Sequence, residues 1–211
     1  MRSKVYWGNR SDPLGGFPRE LWEACRPRWK QVHGTSIAEV KGFGQECGEV
    51  DGVWTRTPGQ VIGVVTADCV PILLEHQPGS ARAALHAGWR GVFSKIPESF
   101  FHALPPDLAA PSDWRVILGP SIRSCCYEVG TDLIDEFRRK FPEIDPGRLE
   151  PAPRKLDLVE VLKYQLESLG VRAVEVNPDC TYCGSDPDGA VYCSYRRGDR
   201  NSRQLSLIQG Y

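Results

Sequence analysis

The chain is short of several things that would fix its class at once. It has a single methionine, Met1, only four histidines, and a formal net charge of -1. Near-neutrality excludes a broad electrostatic field for nucleic acid or an anionic membrane, so any phosphate must be held by a few local arginines. No apolar run is long enough to span a bilayer, and Met1 to Gly16 lacks the apolar core of a signal peptide. The expected compartment is the cytosol, and the expected partner is a small molecule.

What is present fits one soluble globular domain spanning residues 1–211. Hydrophobic residues make up 41% and charged residues 25% of the sequence, far from a disordered composition. Eight cysteines could form a disulfide scaffold, but a chain this large, with a core this rich in Val, Leu and Ile, does not need staples. Free thiols, buried or metal-ligating, are expected.

The first thirty residues, rich in Pro, Gly, Arg and Trp, show no sustained helical period and read as a loosely regular lead-in. Val61 to Val65 is a continuous apolar run, as in a strand buried on both faces, and it runs into Thr66-Ala67-Asp68-Cys69. Arg82 to Leu85 is a second strand and carries His86 at its end. The connection Glu75 to Ser80 holds a Pro-Gly turn pair, so a hairpin can bring Cys69 near His86. Ile96, Phe100 and Leu104 recur at helical spacing with Pro97 in the first turn. Arg115 to Leu118 reads as a strand and Thr131 to Phe141 as a helix. Leu158, Leu162, Leu166 and Leu169 mark one face of another helix, stopped by Gly170. Val171–Val176, Val191–Tyr195 and Gln204–Ile208 are further strands, with a turn at 184–189. Without regular βαβ alternation, an α+β fold with mixed β-sheets layered with helices is expected.

His33 and His86 both sit beside glycine-bearing turns, in Gln31-Val32-His33-Gly34 and His86-Ala87-Gly88-Trp89-Arg90-Gly91, where backbone can approach a ligand closely. Taken singly, each histidine reads as structural more readily than as a ligand. Cys69, after Asp68 and before Val70-Pro71, changes this balance. One thiolate with two imidazoles is a coherent shell for zinc, and three protein ligands leave a position open for water or substrate. Cys180-x-x-Cys183 also has metal-ligand spacing, and Cys125, Cys126 or Cys193 could complete a four-thiolate set. With no second Cys-x-x-Cys pair, ordinary buried thiols are the expectation there. His76 reads as a loop residue and His102 as a helix-surface residue.

Beyond these signals, the chain resembles the YfiH-like "polyphenol oxidase" or laccase-domain proteins, now regarded as purine nucleoside phosphorylases. The resemblance rests on Gln31 to Gly34, Thr66 to Pro71, His86 to Gly91, Gly119-Pro120-Ser121-Ile122, Cys125 to Gly130 and Ser194-Tyr195-Arg196-Arg197. It implies that His33, Cys69 and His86 are ligands of Zn2+, with Cu2+ as another occupant. It also implies phosphorolysis of adenosine, inosine and methylthioadenosine, and an adenosine deaminase activity. A distant relation to a cysteine-dependent toxin deamidase (the CNF-toxin-like fold) implies layered mixed sheets and helices. Family members commonly have a longer N-terminal region before the Gln-x-His motif, so part of the usual pocket wall is expected to be absent here or replaced by Gly8 to Trp29.

Phosphate needs a fork of donors, and Arg90 is the first candidate, with Arg196 and Arg197 beside it; the bland alternative for the last two is pairing with surface carboxylates. Asp68 is the nearest carboxylate for proton transfer, or equally a turn-capping residue. Trp89 is expected in the pocket wall, by packing rather than by stacking on a base. Laccase chemistry is opposed by histidine count: a trinuclear copper cluster with its electron-entry site takes roughly ten imidazoles, and no internal methionine is available as an axial ligand. Two other readings are a metal-free hydrolase with Cys69 as nucleophile and His86 as its base, and a non-catalytic metal-binding module.

Overall fold

A computed structural model describes residues 3–77, 79–187 and 189–210. In chain order the elements are β1 (Lys4–Trp7), α1 (Arg19–Cys25), β2 (Arg28–Lys30), β3 (Ile37–Glu39), β4 (Glu46–Glu49), β5 (Gly52–Thr55), β6 (Val61–Thr66), β7 (Val70–His76), β8 (Arg82–Ala87), α2 (Trp89–Phe93), α3 (Ile96–Ala103), β9 (Trp114–Leu118), α4 (Thr131–Lys140), α5 (Pro146–Leu149), α6 (Leu158–Leu169), β10 (Ala173–Val176), β11 (Ser185–Asp186), β12 (Gly189–Ala190) and β13 (Gln204–Gln209). Two expected turns each include one residue outside those described, Pro78 and Asp188. Among the described residues, no helix is long and apolar enough to cross a membrane.

A mixed six-stranded sheet in the order β10-β9-β7-β8-β5-β3 forms the central layer. The alternation of side chains along its middle strands decides what covers each face. Ile72, Leu74, Ala83 and Leu85 face one way, into a core with Phe100 of α3, Phe137 of α4 and Leu162 of α6. Leu73 and Ala84 face the other way and pack against Ile62, Val64 and Ile208 of the antiparallel sheet β1-β13-β6. Outside that second sheet, Trp22 and Cys25 of α1 pack with Leu14, Phe17, Val61 and Leu207. The architecture is α+β and layered, as the sequence predicts.

The long helix has the expected limits. Asp157 Oδ1 accepts from the amides of Val159 and Glu160 at 3.0 and 3.1 Å, and Gly170 ends the helix at φ 98°. Three expectations need correction. The N-terminal lead-in is ordered: α1 is seven residues long, too short to show a period, and is bounded by Pro18 and by Arg26 held extended before Pro27. Val61–Thr66 (β6) pairs with β13 in the other sheet, and the hairpin partner of β8 is β7, in the register Pro71 to His86 and Leu73 to Ala84. Burial of its whole length removed the alternation that signals a strand, and it places His76 inside a strand, buried against Trp114, with Nδ1 bonded to Ser80 Oγ at 2.7 Å. Val191–Tyr195 is not a strand, because side chains take its amides: Cys193 N donates to Gln204 Oε1 at 2.6 Å and Ser194 N to Asp199 Oδ2 at 3.0 Å.

Candidate metal centre

Three chain segments meet at one end of the two sheets. His33 lies in the loop after β2, in the left-handed region at φ 62°. That loop is tied down from both sides. Gln31 exchanges two 2.8 Å hydrogen bonds with the backbone of Val65, Nε2 donating to its carbonyl and Oε1 accepting from its amide. The Asp51 carboxylate accepts from the amides of Val32, His33 and Gly34 at 3.2, 2.9 and 2.6 Å. Cys69 sits in the turn between β6 and β7, after Asp68 at φ 88°, and His86 projects from β8.

The donor atoms of His33, Cys69 and His86 lie within 4.8 Å of one another. The two imidazoles meet edge to face with centroids 4.8 Å apart. Gly88 makes room for them: a Cβ there would lie 3.0 Å from His33 Cδ2 and 3.1 Å from Cys69 Sγ. His86 Nδ1 is bonded to Asp51 Oδ1 at 2.8 Å, so Nε2 is the nitrogen left for a ligand. Burial pushes the Cys69 thiol up, but hydrogen bonds and positive charge from His33 and His86 outweigh it and bring it down to about 7. Burial opposes charging of His86, yet hydrogen bonds to Asp51 and Cys69 raise it to about 9. For Asp51, burial is outweighed by the His86 bond and the loop amides, which hold the carboxyl below its usual range. One thiolate and two imidazoles are donors suited to a borderline-soft divalent cation.

These residues open into a cavity of about 1010 Å³, at the upper end of the small-molecule range of roughly 300–1,000 Å³. Six arginines line it (Arg19, Arg26, Arg28, Arg90, Arg196 and Arg203) against two carboxylates, Glu23 and Asp68, so it favours an anion. Arg90 is exposed and stacks over Trp89, its guanidinium carbon 4.5 Å from the ring centroid, with no carboxylate partner among the described residues. Arg196 reaches the cavity while its Nη1 donates to Glu128 O at 2.6 Å. Arg197, expected beside them, does not line the cavity. Its guanidinium donates to the carbonyls of Thr181, Tyr182 and Tyr192 and pairs with Asp199 at 2.7 Å, the carboxylate pairing being its bland alternative. Asp68 lines the cavity, but both its oxygens accept hydrogen bonds at 2.7 Å, from Thr181 Oγ1 and from Arg196 N. These donors lie far away in sequence, so Asp68 is more than a local turn cap.

Sequence reasoning missed Asp51 and the arginines ahead of His33. Asp51 carries no local motif. Residues between Pro13 and Trp29 supply one wall of the cavity.

Residues 21–210 match the family described as multi-copper polyphenol oxidoreductase laccase. The chain belongs to that family. It is 34% identical over 194 residues to a purine nucleoside phosphorylase of Pseudomonas aeruginosa, covering 87% of this chain and 74% of that protein. It is 30% identical over 213 residues to the purine nucleoside phosphorylase YfiH of Escherichia coli, covering 97% and 84%. Among solved structures, YlmD of Geobacillus stearothermophilus superposes with a TM-score of 0.76 at 31% identity, covering 91% of this chain and 78% of that one.

Proposed function

We propose that this protein is a zinc-dependent purine nucleoside phosphorylase. The observation that carries the reading is the convergence of His33, Cys69 and His86 at an arginine-lined cavity large enough for a nucleoside and a phosphate together. The names of its relatives point the same way. The substrates proposed are adenosine, inosine and methylthioadenosine, with deamination of adenosine as a second reaction.

His33, Cys69 and His86 would hold the ion, and zinc suits one thiolate with two imidazoles. Such an ion would supply Lewis acidity toward a bound water or substrate. The chain's own residues do the rest. Arg90 and Arg196 bind and orient phosphate, one of whose oxygens attacks the sugar carbon as the carbon–nitrogen bond to the purine breaks. Free base and ribose 1-phosphate are the products from adenosine and inosine, and free base and the 5-methylthio sugar phosphate from methylthioadenosine; the sugar passes through an oxocarbenium-like state, as in other glycosyl transfers. Asp68, on the wall beside Cys69, is assigned the proton transfer that deamination requires, held in place by Thr181 and the Arg196 amide. Arg197 has a positioning role through the Thr181 and Tyr182 carbonyls. Copper suits the same donor set as an occupant. Laccase chemistry is not supported, since the other two histidines lie elsewhere, His76 against Trp114 and His102 exposed on α3.

Incubating purified protein with inosine and phosphate should release hypoxanthine and ribose 1-phosphate, and chelation should stop the release. A product of plain ribose, or none, would overturn phosphorolysis. The thiol–imidazole contact of Cys69 with His86 supports a second reading, a metal-free hydrolase with Cys69 as nucleophile, and turnover surviving exhaustive chelation would select it.

A further inference from the structure

Four cysteines outside the cavity form a second cluster. Cys125 and Cys126 belong to the turn after β9, and Cys180 and Cys183 to the turn after β10. β9 and β10 run parallel as neighbours, so their C-terminal ends lie side by side and bring the two turns together. The backbone bonds them: Thr181 N donates to Ser121 O at 3.0 Å and Ser121 N to Asp179 O at 3.4 Å. All four sulfurs lie within 4.8 Å of one another, and Cys125 Sγ is 3.7 Å from Cys183 Sγ. A tetrahedron with zinc–sulfur bonds of about 2.3 Å has edges of about 3.8 Å, so this pair is already at the spacing such an ion demands.

The expectation of ordinary buried thiols fails here, because Cys125 and Cys183 are exposed. Hydrophobic burial therefore does not explain the cluster. The Cys180–Gly184 segment is instead a tight turn, with Gly184 N donating to Cys180 O at 2.8 Å. A Cβ at Gly184 would come within 2.5 Å of that carbonyl, so the turn requires glycine after the second cysteine. The Arg123 amide approaches Cys180 Sγ at 3.5 Å, the kind of N–H donor that steadies a metal-bound thiolate. Four thiolates around a dication carry a double negative charge, and the small cavity adjoining Cys125 and Cys126 is lined by three cations, Arg154, Lys155 and Arg196, against one carboxylate, Glu128, which pairs with Arg154 and Lys155.

We propose that Cys125, Cys126, Cys180 and Cys183 bind one zinc ion as a closed four-thiolate structural site, separate from the centre at His33, Cys69 and His86. Binding displaces the thiol protons to solvent and leaves no open position for substrate. Its effect on the first site is mechanical. The ion fixes the turn whose Thr181 hydroxyl holds Asp68, next in sequence to Cys69.

Metal analysis of the full-length protein, purified under reducing conditions, tests this. Two zinc ions per chain are expected in the wild type and one in Cys183→Ser, with the other lost in a His33→Ala, His86→Ala double variant. Cobalt titrated into metal-stripped wild type needs no variant to fold. It should give the intense visible bands of a tetrahedral cobalt tetrathiolate, absent from Cys183→Ser and retained in the double histidine variant. A wild type that binds a single ion, lost entirely with the histidines, would overturn the site. So would a freshly purified protein with a mass lower by two hydrogens for a bridge among these cysteines, or a cobalt spectrum lacking the tetrathiolate bands.

Discussion

One carboxylate, that of Asp51, sets the position of both imidazoles: it bonds His86 Nδ1 at 2.8 Å and anchors the loop of His33 through the amides of residues 32–34. His86 is therefore oriented directly and His33 through its backbone. Replacing Asp51 by Asn keeps the volume but gives up one of the two acceptor oxygens and the charge. Loss of such an outer partner commonly weakens metal binding about 10–100-fold. Competition with a chelator of known affinity measures this for Asp51→Asn, and unchanged affinity would remove Asp51 from the positioning role.

The same carboxylate gives an acid dependence of stability. Its folded pKa is below the ordinary value of about 3.9, so the stability it contributes is present above about pH 4 and is lost as pH falls through the folded value. In metal-free protein, denaturant midpoints should fall less between about pH 4 and pH 2 for Asp51→Asn than for the wild type. Parallel curves would contradict this.

Gly88→Ala places a methyl 3.0 Å from the His33 ring and 3.1 Å from the Cys69 sulfur. The site must spread to accept it, while the core beneath is untouched. The expected outcome is a folded protein with a near-wild-type circular dichroism spectrum that purifies with the centre's metal largely missing. Full metal content in this variant would show that the three donors sit further apart in solution.

Arg90 stacks on Trp89 and presents its donors to the cavity. Truncation to Ala removes charge-assisted hydrogen bonds of about 1.5–3 kcal/mol, so kcat/KM for phosphate should fall on the order of 10- to 100-fold. Arg90→Lys should recover only part of this, because an ammonium lacks the planar fork. Phosphate dependence unchanged in Arg90→Ala would exclude Arg90 from the phosphate site.

The amino-acid sequence by itself determined what local interactions govern. The Leu158, Leu162, Leu166 and Leu169 stripe with Asp157 before it and Gly170 after it specifies α6, since caps and helical periodicity act within a few residues. Glycine-bearing turns and a strand end marked His33, His86 and Cys69 as candidates, and it was the family resemblance that implied they act as one ligand set. Only the tertiary structure decided what depends on partners far apart in the chain. β7 became visible as a strand through pairing with β8 and β9, because burial on both faces leaves no alternation along its length. Asp51 acquired its role from a loop and a strand that meet it in space, and Arg197 was drawn away by carbonyls and Asp199. Cys125 and Cys183 lie 58 residues apart, and only the parallel pairing of β9 with β10 brings their turns together.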